Sequence, residues 1–130
     1  MNKQQAVIES GRAEFALKAV KDVKEHHKNN AKEYKSYARK FPSLVLINGL
    51  AAAVAFAAFA VDKSGMYKLL YNNIAEWLKQ NGLLSGKNLE EYVCSLNSDE
   101  YRVVTNEVLA LFEWLRRFAS GLIEGDGDSD

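Results

Sequence analysis

The sequence predicts an all-α fold: a single-domain bundle of about six helices around a buried, Ala-rich central helix. Three observations predict it. The 130 residues contain one proline and no alternating Val/Ile/Thr stretch bounded by turn residues, so nothing reads as a strand. Apolar residues recur instead at spacings of three and four, the helical period. Positions 44–61 carry no charge, only Asn48 and Gly49 interrupt their apolar residues, and seven of the 18 are alanine.

The first helix is expected over 3–27, where Ala13, Ala16, Leu17, Val20 and Val23 form a helical stripe. Asn29 and Asn30 break it, and a short helix follows over 31–40, amphipathic through Tyr34, Tyr37, Ala38 and Phe41. Pro42 then fits the first turn of a third helix, where its missing N–H costs nothing. That helix runs through the Ala-rich stretch to about Lys63, with Ser64 and Gly65 as its end. The uncharged run would span roughly 27 Å, near the minimum for crossing a bilayer. Alanine contributes little transfer free energy, however, and Asn48 would need a partner inside the hydrocarbon. The run is therefore read as a closely packed core helix with no membrane as partner. No basic segment with a cleavage site precedes it, so no signal peptide is expected.

A fourth helix is expected over 66–80, with Leu70, Ile74, Trp77 and Leu78 on one face and Asn81-Gly82 as its stop. A loop at 85–87 leads to a short helix over 89–96. Asn97 or Ser98 caps the last helix, and Asp99 and Glu100 complement the dipole of its first turn. Tyr101, Val104, Val108, Leu111, Leu115, Phe118 and Leu122 then hold an a/d seam, widened by Phe112 and Trp114. The helical domain is expected to cover 1–124. Residues 125–130, GDGDSD, are acidic, lack apolar residues and are expected to form a disordered tail.

Charge is distributed unevenly along a neutral chain. Residues 1–40 carry ten Lys/Arg against five Asp/Glu, 41–89 four against two, and 90–130 three against ten. A basic front and an acidic back can bind a polyanion on one side, or copies of the chain head to tail. Lys18, Lys21, Lys24 and Lys28 share one side of the first helix, and Lys32, Lys35 and Arg39 one side of the second, with Lys40 beside them and Tyr34 and Tyr37 on the adjoining face. Basic stripes with nearby aromatics suit a nucleic-acid backbone. From periodicity alone they read rather as solvated faces, partly offset by Asp22 and Glu25. Arg116 and Arg117 follow Glu113 by three and four residues and can pair with it within a helix.

Catalysis finds little footing. His26 and His27 are adjacent at the end of a lysine-rich helix, with side chains about 100° apart, and read as partners of the helix dipole. No Cys/His spacing suits zinc and no Gly-rich phosphate loop or HExxH element is present. Asp126, Asp128 and Asp130 resemble the start of an EF-hand loop without its distal Glu. The lone Cys94 excludes an internal disulfide and fits a reducing cytoplasm. The chain is read as a cytoplasmic non-enzyme with no cofactor, no metal and no small-molecule substrate.

Three segments taken in order resemble a known family. The first is YKSYARKFPSLVLINGLAAAVAFAAFAVDK over 34–63, with Pro42, Asn48, Gly49 and Leu50; the second is Glu76-Trp77-Leu78. The third is EYRVVTNEVLALFEWLRRFASGLIEG over 100–125, with Tyr101, Thr105, Glu107, Leu111, Trp114, Leu115, Arg116, Arg117, Phe118 and Ala119. Together they look like the small, all-helical subunit of the type III-B CRISPR effector, the Cmr RNA-silencing complex. The resemblance covers about half of the chain and implies a non-catalytic structural subunit in antiviral defence. It implies copies stacked as a filament beside the backbone subunits, with the large subunit as a further partner, lining the channel where target RNA pairs with guide RNA. On that reading Lys35, Arg39, Lys40, Lys63, Arg116 and Arg117 supply phosphate or inter-subunit contacts, and Pro42, Asn48, Gly49, Leu50, Trp77, Glu107 and Trp114 form a structural signature. The competing reading is a helical protein–protein interaction module without nucleic-acid contact.

Overall fold

Helices begin and end where local groups capture the unpaired backbone N–H and C=O groups of their terminal turns. In the computed structural model, which describes residues 3–125 and the side chains of 11–125, the order is α1 (Lys3–His26), a 3-10 turn (Lys28–Asn30), α2 (Ala31–Asn48), α3 (Leu50–Phe59), α4 (Met66–Gln80), α5 (Leu89–Cys94) and α6 (Ser98–Leu122). The described residues contain no strand, so the predicted all-α class with six helices holds. Of the tail expected over 125–130, residues 126–130 lie outside the described residues.

Caps explain the ends. Asn97 accepts from the Glu100 N–H at 2.9 Å while the Glu100 carboxylate accepts from the Asn97 N–H at 3.2 Å, a reciprocal box that starts α6. Asn88 and Glu91 repeat the device at α5. Replacing Asn97 with Ala should cost about 1 kcal/mol, read as a lower urea midpoint. Asp62 serves α4 from a distance: its Oδ2 accepts from the Met66 N–H at 3.0 Å and the Ser64 hydroxyl at 2.8 Å. That capture explains why α3 ends at Phe59 rather than near Lys63, since 60–65 must turn to present Asp62.

Two expectations for the Ala-rich stretch are corrected. Pro42 does not start a helix but lies inside α2, between buried Phe41 and nearby buried Val45. Packing on both sides holds the helix through the missing bond to Ala38, so tertiary context overrides propensity. The break falls at Gly49, whose φ of 90° and ψ of 157° lie outside the helical region. Nor is the Ala-rich helix buried all round. Leu50, Ala53, Val54 and Ala57 of α3 face the core, while Leu46, Ile47 and Phe59 are 73%, 79% and 70% exposed. Once Gly49 divides the run, α3 is a short outer helix with one covered face.

The centre belongs to α2 and α6. α6 packs on α1 and α2, α2 also packs on α3 and α4, and α3 covers α4 and α5. Within the seam Val104, Val108, Leu111, Phe112, Leu115 and Ala119 are buried, while Tyr101, Phe118 and Leu122 are half-buried at its margin. Phe41 stacks on Phe112 with centroids 4.9 Å apart. Tyr101 meets the start of α3 and Lys35 meets Ile123, so α2 and α6 run antiparallel.

Candidate nucleic-acid interface

The antiparallel pairing sorts charge by end. Where α1 hands over to α2, Lys21, Lys24, Lys28 and Lys32 are exposed. At the other end, beside Gly49, the chain passes from α5 into α6 and exposes Glu91, Asp99 and Glu100. These lysines and these carboxylates therefore lie at opposite ends of the bundle, with Glu25 and Glu124 also exposed at the first end and Arg102 at the second. Two neighbours of the basic end are spoken for: Asp22 lies 3.1 Å from His26 Nδ1 and 3.9 Å from His27 Nε2.

The predicted contact residues are not one cluster. Lys40 is exposed and Arg39 half-buried on α2. Arg116 and Arg117 lie between the Phe112 and Ile123 tie points of α6, at the level of Arg39 and Lys40. Both arginines pair with Glu113, at 3.2 Å and 3.5 Å, as the spacing predicts, and Arg117 lies over the Trp114 ring. Trp114 in turn stacks on Phe118 with centroids 5.8 Å apart. Lys63 is exposed in the separate loop over 60–65.

Lys35 works inside the subunit. Its ammonium donates to the Ile123 carbonyl at 2.9 Å and the Gly125 carbonyl at 2.7 Å, closing the C-terminal end of α6. A cation on terminal carbonyls is favourable by charge and by hydrogen bonding. Lys35→Met should cost about 1 kcal/mol, discounted for partial exposure and measured by urea denaturation. Periodicity puts Lys35 on the basic stripe but cannot show its partner 88 residues away.

The aromatics beside the stripe offer no free stacking platform. Tyr34 is fully buried and donates to Asn73 Oδ1 at 2.7 Å. Burial, reinforced by the Asp22 charge, pushes its phenol pKa up, so it stays a neutral donor. Tyr37 already stacks on Tyr67 at 3.8 Å, and Phe56 meets the edge of the same ring.

Of the signature residues, Trp77 and Glu107 join helices. Trp77, buried on α4, donates its indole N–H to Glu107 Oε2 at 2.8 Å. Arg12 of α1 binds the same carboxylate in a fork, Nε to Oε2 at 2.8 Å and Nη2 to Oε1 at 2.9 Å. Burial acts to raise the Glu107 pKa, but the Arg12 and Trp77 bonds and the Arg12 charge outweigh it and hold the carboxyl below its usual value. Sequence reasoning missed Arg12. The signal was there: Arg12 stands in register with Ala16, Val20 and Val23, and Glu107 with Val104, Val108 and Leu111, so each charge interrupts a core stripe. Leu50 is buried, Asn48 is exposed at the end of α2, and the Tyr101 hydroxyl accepts from the Ala51 N–H at 2.9 Å beside Gly49.

A groove of about 470 Å³ between α1 and α4 is lined by Phe15, Lys18, Asp22, Asn73, Glu76 and Gln80 among others, without His, Cys or Ser. Among the described residues no group of three His, Cys, Asp or Glu side chains could hold a metal ion, and no helix is long and apolar enough to cross a membrane.

Comparison with known proteins places these features. Residues 8–122 match the family model for CRISPR-associated protein (Cas_Cmr5). The chain is 38% identical over 113 residues to the CRISPR system Cmr subunit Cmr5 of Thermus thermophilus, covering 85% of this chain and 93% of the relative. The crystal structure of a CRISPR-associated Cmr5 family protein from the same organism superposes with a TM-score of 0.75 at 31% identity, over 88% of this chain and 99% of that one.

Proposed function

This chain belongs to the Cas_Cmr5 family of CRISPR-associated proteins, and we propose that it is a non-catalytic structural subunit of a cytoplasmic type III-B CRISPR ribonucleoprotein. Its copies stack as a filament beside the backbone and large subunits and line the site where target RNA pairs with guide RNA. The carrying observation is the spatial polarity of charge, with exposed lysines where α1 meets α2 and exposed carboxylates where α5 meets α6. Opposite ends suit head-to-tail stacking, and a lysine-rich surface suits phosphates. Arg39, Lys40, Lys63, Arg116 and Arg117 supply phosphate or inter-subunit contacts, whereas Lys35 acts through α6.

The test is the assembled complex carrying Lys40→Ala, Lys63→Ala and Arg117→Ala. Target-RNA affinity should fall severalfold, and the plot of log K against log salt should become shallower by about 0.7 for each phosphate no longer neutralised. Unchanged affinity and slope would remove these residues from the RNA surface. Failed incorporation of the subunit, with RNA binding by the remaining complex intact, would make them interface residues.

The exposed Leu46, Ile47, Phe56, Phe59 and Val61 favour a second reading, a helical protein–protein module that touches no nucleic acid. Native purification separates the two, since only the first predicts RNA in the purified assembly and an absorbance ratio to match.

A further inference from the structure

On the side that α4 turns to α1, a buried amide and a free carboxylate share one groove. Asn73 is only 8% exposed, and its Oδ1 accepts from the Tyr34 hydroxyl at 2.7 Å. That bond orients the carboxamide and leaves its N–H donors on the other side. Asn73 Nδ2 has no partner among the described residues, yet no buried side-chain nitrogen there goes unpaired. The amide therefore opens into the groove between α1 and α4, which Asn73 lines. Glu76, three residues on, lines the same groove, exposed and without an ion pair among the described residues.

A donor beside an acceptor selects what can enter. Helix residues three apart stand about 5–6 Å from each other at Cβ, so Asn73 and Glu76 can meet neighbouring atoms on one edge of a ligand. A guanidinium or ammonium would set its donors against the Asn73 N–H, and a phosphate or carboxylate would face the Glu76 charge. An edge with an acceptor next to donors satisfies both. The pairing edge of guanine has that order: O6 for Asn73 Nδ2, then N1–H and the exocyclic N2–H for the two Glu76 oxygens. Adenine, cytosine and uracil have a single donor nitrogen on this edge and leave one carboxylate oxygen unfilled. Phe15, packed on Trp77 with centroids 5.2 Å apart, and Leu69 give apolar walls for a flat ring. Lys18 is exposed on the rim, where the phosphate of a nucleotide would lie. Asp22, the other carboxylate of the groove, is turned to His26 and His27. The volume of about 470 Å³ falls within the roughly 300–1,000 Å³ of small-ligand clefts.

We propose that this groove binds the guanine base of a nucleotide, free or unpaired within single-stranded RNA, with Asn73 donating to O6 and Glu76 accepting from N1–H and N2–H. RNA as the source of that base rests on the RNA-facing reading above; recognition of the base does not. The exposed lysines recognise charge alone, whereas the groove reads a base edge.

The test is a titration of the isotope-labelled full chain with mononucleotides, followed by NMR at the Asn73 side-chain amide. GMP should shift that resonance saturably. IMP, which lacks the exocyclic amino group, should bind about tenfold more weakly, the loss of one charge-assisted hydrogen bond. Glu76→Gln, an exposed change that should leave the urea midpoint in place, should bring GMP to within about twofold of IMP. No shift with any nucleotide overturns the proposal. Equal binding of GMP, IMP and UMP also overturns it and leaves a phosphate site at Lys18. Saturable shifts of the same amide by a blocked Gly-Gly peptide, with none by GMP, overturn it in favour of a protein segment. The source is read by competition: displacement of GMP by an oligouridylate bearing one guanine, and not by an all-uridine chain, supports RNA. GMP binding that neither oligonucleotide displaces keeps the guanine site and overturns RNA as its source, while the RNA-facing reading of the lysines is judged separately by the salt dependence of the assembled complex.

Discussion

Replacing Glu107 with alanine should destabilise the subunit by about 2–3 kcal/mol, measured as a shift in the urea midpoint at unchanged slope. One carboxylate accepts three N–H bonds from two other helices, two from Arg12 on α1 and one from Trp77 on α4. Both partners of the ion pair are about one-fifth exposed, 22% for Arg12 and 20% for Glu107, so the figure is set below that for a fully buried pair. Removing the acceptor withdraws two bonds from a half-buried guanidinium and the indole partner from a buried Trp. Replacing Arg12 and Glu107 together by Met should cost less than Glu107→Ala alone, since no charge then stays behind. Equal or greater loss in the double variant would show that the contacts of the pair itself carry the energy.

The same carboxylate sets an acid limit. Its folded pKa lies below the ordinary value, so the unfolded chain takes up the proton first as pH falls. The stabilisation is therefore complete above an unfolded pKa of about 4.3 and is lost as pH drops through the lower folded value. Glu107→Gln should flatten the stability profile in that window, measured by urea titrations at successive pH values. A profile that keeps the wild-type slope would assign the acid limit to other carboxylates.

Features carried by neighbouring residues are legible in the sequence, and features carried by distant ones are not. α4 can be read at both ends because Gly65 and the Asn81-Gly82 pair interrupt the helix locally, and the Asn97–Glu100 box needs only a three-residue spacing. Lys35 and Arg12 find their partners 88 and 95 residues away, which no periodicity encodes. The helical period puts Lys28, Lys32 and Lys40 on the surface, where they are found, yet it cannot distinguish an exposed Tyr34 from one buried on Asn73. The Ala-rich run misleads for a different reason. Local rules make Pro42 the boundary and Gly49 a tolerated interior residue, but packing around Phe41 and Val45 reverses their roles.

Gly49→Ala decides that reversal by the sign of its effect. In one continuous helix over 42–63 the change would stabilise the fold by up to about 1 kcal/mol, since alanine is the better helix former. In the structure Gly49 sits at φ 90° and ψ 157°, a region essentially restricted to glycine, which makes the same change unfavourable by about 1–3 kcal/mol. A second cost follows from the neighbour. A Cβ at residue 49 would lie 3.2 Å from the Tyr101 hydroxyl, which accepts the Ala51 N–H that opens α3. Pushing that hydroxyl away unpairs the N–H and adds about 1 kcal/mol, for a total of roughly 2–4 kcal/mol. Tyr101→Phe separates the two costs, because without the hydroxyl the crowding is relieved and only backbone strain persists. Gly49→Ala should then cost less in the Tyr101→Phe background than in the wild type, by about the value of that one bond. A stabilising Gly49→Ala would instead restore the continuous helix, returning Leu46 and Ile47 to the same helix as Phe56 and Phe59.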